Sequence, residues 1–249
     1  MIQPAPTLRV LPSNRFAQRT PAGRGVICGM KDVTTASFNL VIPHSSTDAL
    51  HERMVATVAK NVLTGFEGPL WRAIRGKGLS YDFSVYWNMG VVRGRTDRRD
   101  QGFLYFCLDD CSAPVDSYQA AMEVVEEVEE NGISSMDFES GCGSTCYALC
   151  TKMDSPSLDG VVRFTRQMKE LSALAELEEL SKITKEEVEE CIRTMWKDLF
   201  DVEKGCFVMT CPQDKVEEYM EDFKELGFEI EVREYETVLN SSFDSCVCF

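Results

Sequence analysis

Between Gly68 and Trp87 the chain reads GPLWRAIRGKGLSYDFSVYW, and its apolar spacing changes period inside three residues. Pro69 suits a first helical position, and Leu70, Trp71 and Ile74 then fall on one helical face. Gly76 and Gly78 interrupt that helix. Leu79, Tyr81, Phe83, Val85 and Trp87 follow in the alternation of a strand. A chain with this joint must fold a short helix directly onto a strand, so mixed α and β structure is required from here outwards. The joint also carries Arg72, Arg75 and Lys77 with no acid among them, in a protein of formal charge −15. Cations flanking a turn are usually just solvated, and a strand tyrosine can simply present its hydroxyl to water.

The rest of the chain supplies further strands and helices. Val26 to Met30 and Ser37 to Ile42 read as two adjacent strands, the second stopped by Pro43. Polar residues from Ser45 to Asp48 offer N-caps for a helix from about Ala49 to Thr64, ended by Gly65. A charged segment from Gly90 to Gln101 marks a hairpin tip, and Phe103 to Leu108 returns as a strand. Pro114 opens a helix with Val115, Tyr118, Met122, Val125 and Val128 inward. Its glutamates, Glu123, Glu126, Glu127, Glu129 and Glu130, form a solvated face. Ser134–Lys152 and Ser157–Leu171 read as helices broken by Pro156, with helical character continuing to Leu180. Thr184 and Glu187 make a capping box for a helix whose inner face is Val188, Ile192, Met195, Trp196 and Leu199. Cys206–Cys211 is a strand, Pro212 starts a helix with Val216, Tyr219, Met220 and Phe223 inward, and Phe228–Val232 is the last strand.

That order predicts an α+β fold, one mostly antiparallel sheet of about six strands with helices packed on one face. The expected domain spans 25–236, preceded by an extended linker or leader over 1–24 and followed by a flexible tail over 237–249.

Composition removes several functions. A pI near 4.6 argues against a nucleic-acid binder and gives no support to a protein of anionic membrane surfaces. No apolar run approaches the ~18 residues of a membrane span. Eleven cysteines without a hydrophobic signal segment predict reduced thiols in the cytoplasm. Arg9, Arg15, Arg19 and Arg24 precede the first acid, Asp32, as in a mitochondrial transit peptide, the alternative location; Pro4, Pro6, Pro12 and Pro21 work against its amphipathic helix. Cys142, Cys146 and Cys150 recur every four residues on one helix, which reads as core packing because no fourth metal ligand accompanies them. The terminal CVCF has the outline of a prenylation box at Cys246, yet no polybasic segment precedes it.

The run LWRAIRGKGLSY resembles the pattern L-x-x-x-I-R-x-x-x-G-L-A-Y of the insulinase/pitrilysin family of inverted-motif zinc metallopeptidases. The pattern belongs to the second, non-catalytic half, and the wording is similar to the presequence-protease-like branch. This chain is one residue shorter between Arg75 and Tyr81. The resemblance covers roughly residues 25–235 and implies the α/β roll from which that family is built. Zinc hydrolysis in the family needs H-x-x-E-H on a helix. His44 and His51 are the only histidines, and no second histidine follows His51-Glu52.

The resemblance therefore implies a substrate-binding domain, with zinc in a partner catalytic domain or subunit and a peptide as ligand. It implies that Arg75 and Tyr81 hydrogen-bond the substrate carbonyl and steady its oxyanion, with Gly78 keeping the joint tight; given the shorter spacing, Arg72 is the alternative donor. A catalytically dead assembly module with the same fold is the competing expectation.

Overall fold

The computed structural model describes residues 22–45, 49–88, 101–154 and 174–234, together with 160, 163, 164 and 172. Most of the expected leader, the charged hairpin tip, most of the 157–171 helix and the tail with its CVCF box lie outside the described residues.

Six strands form one sheet: β1 (Arg24–Met30), β2 (Ala36–Ser45), β3 (Ser80–Asn88), β4 (Gln101–Cys111), β5 (Cys206–Pro212) and β6 (Glu229–Glu234). Their order is β3-β4-β2-β5-β1-β6. The pairs β3–β4, β4–β2 and β2–β5 are antiparallel, whereas β1 runs parallel to both β5 and β6. The mostly antiparallel α+β sheet expected from the sequence is therefore present. One expectation is corrected. β1 and β2 are not neighbours, because β5 lies between them, pairing Val26 with Val208 on one side and Asn39 with Val208 on the other. Alternating patterns place a strand in a sheet without saying which strand it meets.

One face of the sheet carries the core. Ile27, Phe38, Leu40, Val85, Phe106, Phe207 and Met209 are almost fully buried there. Phe38 stacks on Phe223 with centroids 5.4 Å apart and lies 5.0 Å from Phe207; Phe207 and Phe223 are 4.6 Å apart. Tyr118 packs edge-on against Phe38 at 6.3 Å, and its hydroxyl donates to the Phe200 carbonyl at 2.8 Å. Burial raises the Tyr118 pKa and keeps that donor protonated.

The helices are α1 (Leu50–Thr64), α2 (Pro114–Asn131), α3 (Ser135–Asp154), α4 (Ala175–Leu180), α5 (Lys185–Cys191) and α6 (Val216–Glu225). α5 runs on through a π-helical turn, Ile192–Trp196, into Lys197–Leu199. Its capping box is present as predicted: Glu187 N–H donates to the Thr184 hydroxyl, and the Glu187 carboxylate accepts from Thr184 N–H. α1 differs from expectation at its start, where the N-cap is Ala49 with no side-chain hydrogen bond. Pro212 ends β5 rather than opening α6, because a 3-10 turn over Gln213–Lys215 intervenes. On α3, Cys142 packs against the core but Cys150 is exposed, since the four-residue spacing drifts around the helix axis.

Among the described residues no helix is long and apolar enough to cross a membrane.

Candidate functional site

α1 ends at Gly65, and the chain turns through Phe66 and Glu67 into a single π-helical turn, Trp71–Arg75. Leu70 and Ile74 are fully buried and fasten this turn to the core. Gly76 N–H donates to the Trp71 carbonyl at 2.8 Å and Leu79 N–H to the Ile74 carbonyl at 3.0 Å, both reaching back five residues. Gly78 has φ +72°, and a Cβ built there would meet nothing within 4 Å. Glycine is thus required by the backbone conformation, not by any crowding within this chain. The Leu79 carbonyl accepts from Ser112 N–H and Ala113 N–H, both at 3.2 Å, and from the Ser112 hydroxyl at 3.1 Å. The buried Ser80 hydroxyl reaches the carbonyls of Asp82 and Asp109 at 2.7 and 3.0 Å. The joint is therefore a pinned corner between β3 and the turn that leads into α2.

Two of the expected site residues meet on this corner. The Arg75 guanidinium lies 5.0 Å from the centroid of the Tyr81 ring. Both side chains are exposed, Tyr81 by 67%. The strand alternation expected from Leu79 onwards holds for Phe83, Val85 and Trp87, which pack on the core. Leu79 also packs on the core, one residue before the strand begins. The alternation fails at Tyr81, whose ring has Arg75 over it and is not taken into the core.

Arg72 is directed elsewhere. It donates to the Glu67 carbonyl and pairs with Asp137 at the start of α3, 3.7 Å away. The helical face expected to unite Trp71 with Leu70 and Ile74 also opens, because the π-turn moves Trp71 to the side, where its ring lies 5.2 Å from Phe66. Arg75 and Lys77 have no carboxylate partner among the described residues. The corner thus presents a phenol, a guanidinium and an ammonium to solvent, all hydrogen-bond donors and two of them charged.

No group of three His, Cys, Asp or Glu among the described residues could hold a metal ion. His51 shows why the start of α1 does not fit one. Its Nδ1 lies 3.0 Å from Glu179 and its Nε2 2.9 Å from Glu187. Both ring nitrogens face carboxylates, an arrangement that favours the imidazolium, in which each nitrogen donates a proton and neither keeps a lone pair for a metal. The hydrogen bonds to Glu187 and Glu179 raise the His51 pKa. Glu187 is held below the usual range by Thr184 N–H and by His51, and Glu179 by Lys182 and His51. Sequence reading missed this cluster because its partners stand 128 and 136 residues away, and the capping box alone explained Glu187.

Comparison with known proteins adds a family match. The family model described as the peptidase M16 inactive domain matches residues 8–142, more than half of the chain. The uncharacterized protein YOL098C of Saccharomyces cerevisiae is 26% identical over 244 residues, covering 93% of this chain and 22% of the yeast protein. The chain thus spans under a quarter of that relative's length. Among solved structures, the peptidase M16 inactive domain from Pseudomonas fluorescens superposes with a TM-score of 0.54 at 16% identity, covering 76% of this chain and 43% of that one. A chain of complex III2 from Candida albicans gives a TM-score of 0.59 at 12% identity, covering 82% and 49%. At such identities the structural likeness speaks for the fold.

Proposed function

We propose, on the premise that this chain belongs to the peptidase M16 inactive-domain family, that it is the non-catalytic, peptide-binding part of a zinc metallopeptidase. In this reading zinc is supplied by another domain or subunit, since His44 and His51 are the two histidines of the sequence and make no H-x-x-E-H. The reading extends to the presequence-protease-like branch and to the cytoplasm, with the mitochondrion as the alternative compartment. The domain proper runs over 25–236.

One observation carries the reading: Arg75 and Tyr81, far from being scattered, share one exposed corner with the guanidinium over the ring. The contact contributes about 0.5–1 kcal/mol at an exposed site, enough to bias both side chains towards one arrangement. A phenol O–H and a guanidinium N–H both donate, so together they suit a peptide carbonyl oxygen that gains negative charge. Gly78 sets the corner, and the open space at its Cα lets a peptide backbone come close. Arg72 is tied to Asp137 and the Glu67 carbonyl and braces the corner against α3, which supports Arg75 over Arg72 as the donor in this reading.

The test combines this chain with an H-x-x-E-H half from a longer relative and follows peptide hydrolysis. Tyr81→Phe keeps the ring and removes the O–H; it should lower kcat by about 100-fold. Unchanged turnover in both Tyr81→Phe and Arg75→Ala would favour the assembly module instead.

A further inference from the structure

The π-turn that carries Arg75 also carries a second ring contact, at Trp71. Phe66 is 79% exposed and rests against Trp71, with centroids 5.2 Å apart. The hydrogen bond from Gly76 N–H to the Trp71 carbonyl closes one turn, so Trp71 and Arg75 lie on the same side of it. Along that side Phe66 and Trp71 come first and Arg75 with Tyr81 next; Lys77, two residues beyond Arg75, is exposed. Single exposed apolar side chains need no explanation. Here, however, both exposed rings are held in defined contacts, one by Trp71 and one by Arg75. The cations Arg75 and Lys77 have no carboxylate partner among the described residues, although the protein carries 41 acids against 26 lysines and arginines.

We infer that this strip selects the peptide, taking an extended segment in which an aromatic residue is followed two positions later by an aspartate or glutamate. The inference rests on the peptide-binding reading above and adds the substrate class to it. In an extended segment, residues i and i+2 point the same way, about 6.6 Å apart. One turn of the π-helix separates Trp71 from Arg75, so an aromatic residue and an acid two positions apart can face the two in succession. The peptide's aromatic ring packs on Phe66 and Trp71, while its carboxylate meets Arg75 and Lys77. A basic residue at the second position faces the same two cations and is repelled. Charge complementarity therefore favours an acidic segment even though the protein as a whole is acidic, because screening limits distant charges to a weak background.

Two blocked glycine-rich heptapeptides test this, each with Phe at its third position and either Glu or Lys at its fifth. Calorimetric titration of the 249-residue chain should find the Glu peptide bound about tenfold more tightly than the Lys peptide. Lys77→Glu should abolish that preference, and Phe66→Ala should weaken both peptides by about fivefold. Both positions are exposed, so neither variant endangers the fold. Equal affinity for the two peptides, or a preference that survives Lys77→Glu, overturns the inference. So does sedimentation showing a dimer that Phe66→Ala disperses, since the strip would then serve a second copy of this chain. Should Tyr81→Phe still slow turnover while the peptides bind alike, only the selectivity fails; should neither effect be seen, the peptide-binding reading fails with it.

Discussion

At the scale of single residues, the corner depends on one backbone conformation. Gly78→Ala places a Cβ in open space but forces an L-residue to φ +72°. It should cost about 1–2 kcal/mol, measured as a lower midpoint in denaturant at unchanged slope. His51 provides the second residue-scale prediction. Its imidazolium, held by Glu187 and Glu179 with Lys182 on the far side of Glu179, has its pKa raised above the ordinary 6.5. A group whose folded pKa is raised contributes fully below its unfolded value and loses that contribution as pH climbs through the folded one. The contacts of α1 with α4 and α5 at His51 should therefore weaken from about pH 6.5 upwards. NMR titration of the ring should show a midpoint above that of a model histidine, and His51→Gln should flatten the fall in melting temperature across the same range. A midpoint below 6.5 would exclude the doubly protonated arrangement.

Elements dock here through small residues and side-chain contacts. α1 and α3 approach closely at Gly141, where an added Cβ would come within 2.4 Å of Val62 Cγ2 and 3.0 Å of the Val62 nitrogen. Nearby, Asn61 donates to the Thr145 hydroxyl at 2.8 Å, and Thr145 in turn donates to the Gly141 carbonyl at 2.7 Å. Gly141→Val must push the helices apart and should destabilise the protein by about 1–3 kcal/mol, read from thermal or chemical melts. The same change at Gly143, which has open space around it, should do far less. Arg72 joins α3 to the π-turn through Asp137, so a displaced α3 would also disturb the corner that carries Arg75. Most of these elements could be anticipated from sequence. The period changes at Gly76 and Gly78, the Thr184–Glu187 box and the proline at the start of α2 are local signals, and the helices and strands follow them. The π-turn was not legible, because apolar residues at positions 70, 71 and 74 fit an ordinary helix equally well.

For the molecule as a whole, stability is concentrated where the sheet meets α2 and α6. Phe38 touches Phe106, Tyr118, Phe207 and Phe223, which come from four different elements. Phe38→Ala should cost about 3–5 kcal/mol, a large fraction of the stability of a domain this size, and circular dichroism melts should show it. The acid excess, by contrast, is spread over solvated faces such as the outer side of α2, where Glu123, Glu126, Glu127 and Glu130 are exposed. Signals a few positions apart were enough to anticipate most helices and strands, and the residues themselves show the acid excess and the absence of an H-x-x-E-H motif. Tertiary structure alone decided that β5 separates β1 from β2, that His51 is enclosed by carboxylates, and that Arg75 and not Arg72 covers Tyr81. Each of those outcomes depends on which distant segments share a buried surface, a choice made by packing the whole core at once, and no periodicity along the chain encodes it.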